Sequence, residues 1–373
     1  MRAHTTPIHD TTPKHRRGRR RRVVPLLGLI LAATAAVSAC SGSAPADTLD
    51  ASAPIPTEIP EGTKLVIADQ QEAVQTALAA SGELDRLPFE FEFANFIGGP
   101  AILEAFRAEA ADVAIVGDTP PIHAQVSGED VPIILSRQLS QDTNWWVTSP
   151  NSSITTIEDL RGQRIAYAEG TAQQPVVLRT LELAGSTVDD VEFVRLQSAE
   201  VSDALAANQV DAAPLGEPRL TRYLNDWEAE GASVIDPATI DGTISQGLSY
   251  IYARRGAIED AGKAAALRAY LAAYIRAQHW INENQDEWIE AYYVESQGVS
   301  AEDGRRILDS IGPMSFPRLD DALVARHQEI IDVLDRAGEL PVSVRAEDGF
   351  DRRFDEVIEE TVAEVGATHE RQE

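Results

Sequence analysis

Short apolar stretches alternate with amphipathic ones along most of this 373-residue chain, and this alternation limits its possible folds more than any other feature. Apolar stretches at 64–68, 89–93 and 113–116 have the length and composition of strands, and the segments between them have helical periodicity. A second series of the same kind extends from 147 to 214. Strands that alternate with helices form a parallel or mixed sheet with helices on its faces, so the sequence predicts an α/β fold.

The order of these segments also predicts how the chain divides. Residues 63–146 and 246–340 are predicted to form one discontinuous lobe, and 147–245 a second lobe inserted into it. Residues 341–373 are predicted to be a C-terminal helical or tail segment. Trp145-Trp146 lies at the predicted crossover between the lobes, where the two indoles either cover a ligand or, as we expect, pack the hinge.

The N-terminal residues have the features of a secretion signal. An arginine-rich stretch at 16–22 and an apolar stretch at 23–36 lead to Cys40, the only cysteine in the sequence. This arrangement resembles the bacterial lipoprotein signal, and it predicts removal of residues 1–39 and a lipid on Cys40 that holds the protein at the outer face of the cell membrane. The alternative is a membrane-spanning anchor, but the apolar stretch is shorter than the ~20 residues that a bilayer requires. Residues 40–62, rich in Ser, Ala, Pro and acidic residues, are predicted to be a flexible tether.

Charge and cysteine content exclude several classes of protein. Without residues 1–39 the chain loses eight basic residues and one acidic residue, so its formal net charge changes from −28 to −35. So acidic a chain repels nucleic acids, and no nucleic-acid partner is expected. A single cysteine excludes an intrachain disulfide bond. No metal site is predicted, since no two of the histidines after Cys40 stand at helical spacing: His123, His279, His327 and His369. No cofactor is expected, and the protein is expected to be a monomer.

Five short segments occur in an order that carries a family resemblance. They are 96–100 (FIGGP), 111–121 (ADVAIVGDTPP), 157–166 (IEDLRGQRIA), Gly170-Thr171 and 208–212 (NQVDA). The set resembles the aliphatic-sulfonate, taurine and nitrate group of ABC-transporter substrate-binding proteins. The resemblance implies a type II periplasmic-binding-protein fold, in which two α/β lobes joined by a hinge close on a small-molecule ligand. It also implies that the ligand is passed to an ABC permease and its ATPase subunits.

Three turns within these segments are the candidates for the ligand site. Each follows a predicted strand and opens a predicted helix, whose free amides and partial positive charge favour an oxyanion. Because ligands of open α/β sheets bind beyond the carboxyl ends of the strands, the three turns are expected to converge on one cleft. The turns are Gly98-Gly99, Asp118-Thr119 and Gly170-Thr171. Thr119 is predicted to be an N-cap, and Asp118 either contacts the ligand or only stabilises the helix dipole.

The chain departs from the resembled family close to these turns. Gln70 and Gln71 stand where sulfonate-binding relatives tend to have glycine-rich sequence with a lysine, and Gln173 where small hydroxyl residues are common. The resembled family usually has an aromatic residue followed by Asp-Pro after the segment that ends at 212. This chain has no aromatic residue there, but Glu217 supplies a carboxylate before Pro218. We therefore expect a more acidic, less aromatic cleft and a ligand with an amine or several hydrogen-bond donors, contacted by the three glutamines. The alternative for Glu217 is that it caps a helix starting near Pro218 and faces solvent.

The expected function is therefore a binding receptor for an aliphatic sulfonate, a taurine-like aminosulfonate or a related compound. Nitrate, a pyrimidine precursor and an amine-bearing solute remain open as ligands. An enzyme or a sensor lipoprotein of the same fold is the alternative. Some desulfinases resemble these binding proteins and use a cysteine nucleophile, but this sequence has no cysteine after Cys40, and no catalytic residues are predicted.

Overall fold

The computed structural model describes residues 48–141 and 144–371. The predicted signal peptide, Cys40 and the first residues of the predicted tether lie outside the described residues. No helix in the described ranges combines the length and the apolar character needed to cross a membrane.

The described part of the predicted tether, 48–62, contacts the rest of the protein. The backbone N–H of Leu49 donates to the carbonyl oxygen of Glu259 at 2.7 Å. Ile55 and Ile59 are partly buried against the main hydrophobic core. These contacts hold the segment against the surface, because two large apolar side chains gain by leaving water.

Ten strands and twelve α-helices form the described structure. The strands are β1 (Lys64–Gln70), β2 (Glu90–Phe96), β3 (Val113–Gly117), β4 (Ile133–Leu139), β5 (Trp145–Thr148), β6 (Arg164–Tyr167), β7 (Glu192–Arg195), β8 (Ala212–Leu215), β9 (Leu248–Ala253) and β10 (Met314–Ser315). The helices are α1 (Ala73–Ala80), α2 (Gly99–Arg107), α3 (Pro120–Val126), α4 (Gln173–Leu183), α5 (Val201–Ala206), α6 (Arg219–Trp227), α7 (Arg255–Glu259), α8 (Ala261–Glu283), α9 (Gln285–Trp288), α10 (Ala301–Ile311), α11 (Asp321–Arg336) and α12 (Asp355–Val365).

The strands form two separate mixed sheets, as the α/β prediction requires. The larger sheet has the order β10-β4-β9-β3-β1-β2, with β1 parallel to β2 and β3 and with β9 antiparallel to β3 and β4. The smaller sheet has the order β5-β8-β6-β7, with β6 parallel to β7 and β8. The chain leaves the larger sheet after β4 and returns to it with β9, so the smaller sheet is an insertion.

The main core lies between the larger sheet and α8. Thirteen of the 23 residues of α8 are buried, more than the single stripe of an ordinary surface helix. The reason is that α8 is covered on several sides, since it packs against β1, α1 and α12. The predicted C-terminal segment therefore contributes a helix, α12, whose residues Val357, Ile358 and Val362 are buried in this core.

The side chain of Trp146 packs in the core between the smaller sheet and α4. Its side chain is 1% exposed, and its indole Nε1 donates to the hydroxyl of Thr180 on α4 at 2.8 Å. Trp145, beside it, is only partly buried and packs on the opposite face of the sheet. Trp146 thus packs within the core of the smaller sheet, whereas we expected it to pack the hinge between the lobes. Neither indole lines the cavity at the Gly98-Gly99 and Gly170-Thr171 turns.

Replacing Trp146 with Ala is expected to lower the free energy of unfolding by about 3–5 kcal/mol, because it removes a large buried side chain and leaves a cavity. Urea denaturation followed by circular dichroism measures the change. Trp145→Ala is the matched control, with a smaller expected loss because that indole is partly exposed. Equal losses for the two variants would show that Trp146 does not anchor the smaller sheet.

Candidate ligand-binding site

A cavity of about 200 Å³ lies where strand ends of the two sheets meet. Its walls are residues at or just after the carboxyl ends of β1, β2 and β3 on one side, and of β6, β7 and β8 on the other. This is the position at which open α/β sheets bind ligands, and we call it the cleft cavity. Seven of the ten predicted ligand-binding residues line it: Gln70, Gln71, Gly98, Gly99, Thr171, Gln173 and Glu217.

Small residues allow the two lobes to approach each other closely around the cleft cavity. A Cβ atom built on Gly98 would lie 3.2 Å from Oγ of Ser198 and 3.8 Å from Cγ2 of Thr171. One built on Gly117, the last residue of β3, would lie 2.7 Å from Cβ of Ala172. The predicted turns therefore converge, and a side chain at 117 would force the lobes apart.

Two of the predicted glutamines already hold the backbone of their own lobes. Nε2 of Gln70 donates to the carbonyl oxygen of Ile115 at 2.9 Å, and its Oε1 accepts from the N–H of Gly98 at 3.1 Å. Oε1 of Gln173 accepts from the N–H of Ala168 at 3.0 Å. The Gln70 bonds fix neighbouring strand ends relative to one another, and the Gln173 bond fixes the start of α4 to the end of β6. Both side chains therefore shape the cavity in addition to lining it.

The Gly170-Thr171 turn is held in the same way. Gly170 has a φ of 73°, in the left-handed region that favours glycine, and its N–H donates to Oε1 of Gln174 at 3.0 Å. The hydroxyl of Thr171 donates to the carbonyl oxygen of Ala168 at 2.7 Å. Gly170 does not itself line the cleft cavity, but it stands directly behind Gly99, whose added Cβ would lie 3.6 Å from its carbonyl oxygen.

Thr119 occupies the N-cap position of α3, as predicted, but its side chain forms no cap bond, and its hydroxyl donates to Oδ1 of Asp118 at 2.8 Å. The backbone of Thr119 is already helical, with φ −88° and ψ −38°, whereas a capping residue typically has an extended backbone. Asp118 and Thr119 are both buried, and neither lines the cleft cavity. Burial raises the pKa of Asp118 to about 6, against the opposing effect of the Thr119 hydrogen bond. In this turn Pro120, and not Asp118 or Thr119, reaches the cavity wall.

Glu217 caps a helix, but it does not face only solvent. Its Oε2 accepts from the N–H of Thr221 at 3.1 Å, so it caps the first turn of α6. The side chain is nevertheless partly buried and lines the cleft cavity, in contrast to a cap that faces only solvent. Burial raises the pKa of Glu217, and the bonds from Thr221 oppose that shift.

Arg219 is a cleft residue that the sequence analysis missed. It begins α6, lines the cleft cavity and donates from Nη1 to the carbonyl oxygen of Ser198 at 3.2 Å. Burial lowers its pKa, and the positive charge of Arg222 adds to this effect. Among the described residues no carboxylate forms an ion pair with Arg219. The only sequence signal is its place four residues after the buried strand β8, at the start of a helix.

A second cavity, of about 290 Å³, adjoins the first. The two share four wall residues: Gln70, Gly117, Gly216 and Glu217. Its walls combine aliphatic side chains with four aromatic rings and one basic residue. We call it the aromatic cavity after these rings, and the aromatic and basic residues are Arg137, Tyr274, Trp288, Tyr292 and Tyr293. The aromatic side chains missing after 212 are thus supplied from a distant part of the chain.

Two other features do not bear on this site. A larger cavity of about 760 Å³ lies against α11 and α4, and none of the predicted ligand-binding residues lines it. Within the described part of the chain, no group of three or more His, Cys, Asp or Glu side chains is arranged to hold a metal ion.

Several known proteins with similar sequence or structure are named for binding sulfonates. A protein of Escherichia coli K12 named for binding aliphatic sulfonates is 27% identical over 273 residues, which are 72% of this chain and 82% of that protein. The crystal structure of the periplasmic aliphatic sulphonate binding protein from Escherichia coli matches with a TM-score of 0.65 at 25% identity and covers 78% of this chain and 92% of that one. The alkanesulfonate-binding protein from Xanthomonas axonopodis pv. citri, bound to MOPS, matches with a TM-score of 0.68 at 22% identity and covers 78% and 99%.

These structural matches give this chain the fold of the periplasmic binding proteins, as the resemblance implied. The family model described as "NMT1/THI5 like" matches residues 99–287, which is just over half of the chain and includes most of the residues that line the cleft cavity. The chain therefore belongs to the NMT1/THI5-like family.

Proposed function

We propose that this protein is the extracytoplasmic substrate-binding receptor of an ABC importer and that it captures an organic sulfonate in the cleft cavity. Two of the proteins that it resembles are named for binding aliphatic sulfonates, and the periplasm is the stated location of one. The bound solute would then be delivered to a membrane permease with its ATPase subunits.

The observation that carries this proposal is the guanidinium of Arg219 in the cleft cavity without a carboxylate partner among the described residues. A partly buried cation is unfavourable unless it is paired, so the free protein bears a cost that an anionic ligand removes. A guanidinium also offers several donors in one plane, which suits the oxygens of an oxyanion.

Helix starts from both lobes can complete the recognition of a sulfonate. α2 begins at Gly99 and α4 begins at Gln173, and both residues line the cleft cavity. The first amides of a helix have no partner within the helix and carry partial positive charge. A sulfonate has three oxygens and one negative charge, so it can accept from both helix starts and from Arg219 together.

The same proposal includes the location and organisation predicted from the sequence. We infer a lipid on Cys40, a monomeric receptor outside the cell membrane, and closure of the two lobes, 63–146 with 246–340 and 147–245, around the ligand. A receptor is favoured over an enzyme because the chain has no cysteine after Cys40 to act as a nucleophile on a sulfur compound.

Arg219→Gln is expected to weaken the binding of ethanesulfonate by roughly 10- to 100-fold, since a hydrogen bond to a charged group contributes about 1.5–3 kcal/mol. Isothermal titration calorimetry of the purified protein measures the change. Arg161→Gln is the matched control, because Arg161 lies in the inserted part of the chain, pairs with Asp190 and does not line the cleft cavity. Unchanged affinity in Arg219→Gln would remove Arg219 from the site, and an equal loss in the control would show a general effect of charge.

Glu217→Gln is expected to change selectivity between taurine and ethanesulfonate by roughly tenfold or more, in favour of ethanesulfonate. The carboxylate of Glu217 lines the cavity, so it attracts the ammonium group of taurine and repels a ligand that carries only a sulfonate. The two ligands share the sulfonate, and their affinity ratio therefore cancels any effect of the lost α6 cap on folding. Competition calorimetry gives the ratio, and an identical ratio in both proteins would leave Glu217 as a helix cap alone.

A further inference from the structure

We propose that the aromatic cavity holds the organic part of the ligand and that the preferred ligand is an arylsulfonate whose ring carries a second acceptor group. This inference deepens the proposed function and rests on it, because it assumes that a sulfonate binds in the cleft cavity. It names the class of sulfonate, which the turns and Arg219 by themselves do not distinguish.

The first step is the adjacency of the two cavities. Gln70, Gly117, Gly216 and Glu217 line both, so the two cavities lie side by side at these residues. Two of these four residues are glycines, and no side chain stands at those positions to separate the spaces. A ligand whose sulfonate lies beside Arg219 can therefore extend past these residues into the aromatic cavity.

The second step is the size of the aromatic cavity. A cavity of about 150 Å³ is known to accept benzene, and this one has about 290 Å³. A two-carbon sulfonate would leave most of it empty, and the walls would then lack the contacts of a packed interior. A ring is the smallest rigid group that fills such a space at a low entropic cost.

The third step is the character of the walls. The rings of Trp288 and Tyr292 are stacked, with centroids 4.6 Å apart and an angle of 12° between their planes. Tyr293 meets Tyr292 edge to face at 5.1 Å, and all three side chains are buried. Aromatic faces and edges in this arrangement favour another ring as a neighbour over a flexible chain of methylenes.

The fourth step is a set of unused donors on the wall. Arg137 donates from its terminal nitrogens to Gln278 at 3.1 Å and to Ser249 at 3.3 Å. The buried Nε of Arg137 and the hydroxyl of Tyr274 have no partner among the described residues other than each other, so the phenol proton of Tyr274 has no acceptor. Arg137 lies close enough to Tyr274 to oppose the rise in the pKa of that phenol that burial causes.

An acceptor on the far side of the ring would satisfy these donors. Buried donors without partners are costly, and no carboxylate of the described residues pairs with the charge of Arg137. A carboxylate or similar acceptor on the ring meets this requirement, whereas an unsubstituted ring leaves it unmet. The site thus has one basic residue at each cavity, Arg219 for the sulfonate and Arg137 for the second group.

The test is a ligand series on the purified protein, with affinities from isothermal titration calorimetry. Benzenesulfonate is expected to bind at least about tenfold tighter than ethanesulfonate, and 4-sulfobenzoate tighter again by a similar factor. Ethanesulfonate that binds as tightly as benzenesulfonate would overturn this inference and leave the proposed function intact. If none of the three sulfonates bound, the proposed function itself would be overturned, and this inference with it.

Two variants locate the effect. Ile311→Trp places a large side chain in the aromatic cavity and is expected to weaken benzenesulfonate more than tenfold while ethanesulfonate changes by less than about twofold, since Ile311 does not line the cleft cavity. Arg137→Gln is expected to abolish only the advantage of 4-sulfobenzoate over benzenesulfonate. Equal losses for all ligands in either variant would contradict the inference, and melting temperatures show whether each variant is folded.

Discussion

The close approach of two sets of strand ends is the constraint on which the site depends. Gly117 ends β3 so near to Ala172 that even one added carbon would lie 2.7 Å from its Cβ, and a Cβ at position 98 would lie 3.2 Å from Oγ of Ser198. A pocket for a small solute needs walls from both lobes at once. Residues without side chains at these points let the lobes meet, and they expose backbone amides where larger side chains would cover them.

Overall charge and site charge have opposite signs in this protein. The sequence carries a formal net charge of −28, yet the two basic side chains of the adjoining cavities, Arg137 and Arg219, lack carboxylate partners in the described part of the chain. Net charge acts over long distances through water and salt, which screen it, whereas a partly buried guanidinium acts at contact distance. An acidic protein can therefore bind an anion, provided that the cation is withdrawn from the surface.

The sequence could predict the parts of the site that are local. Gly98-Gly99 and Gly170-Thr171 each follow a strand and open a helix, and both features are visible within a few residues of chain. It could not predict that Thr119 would take a helical backbone conformation in which its side chain forms no cap bond, since the same two residues allow either backbone conformation. Nor could it predict the walls supplied by Arg137, Tyr274 and Trp288, because more than a hundred residues of chain separate the first from the others and only folding brings them together.

The alternation of apolar and amphipathic segments determined the α/β class and the two series of strands, because the spacing of apolar side chains within one segment distinguishes a strand from a helix. Turn chemistry at the strand ends likewise determined where backbone amides would be free. The tertiary structure alone decided which charged and aromatic side chains face the cavities. Those positions follow from the packing of α8 against β1 and of α9 against α1 and α8, and packing depends on a three-dimensional fit that no local pattern records.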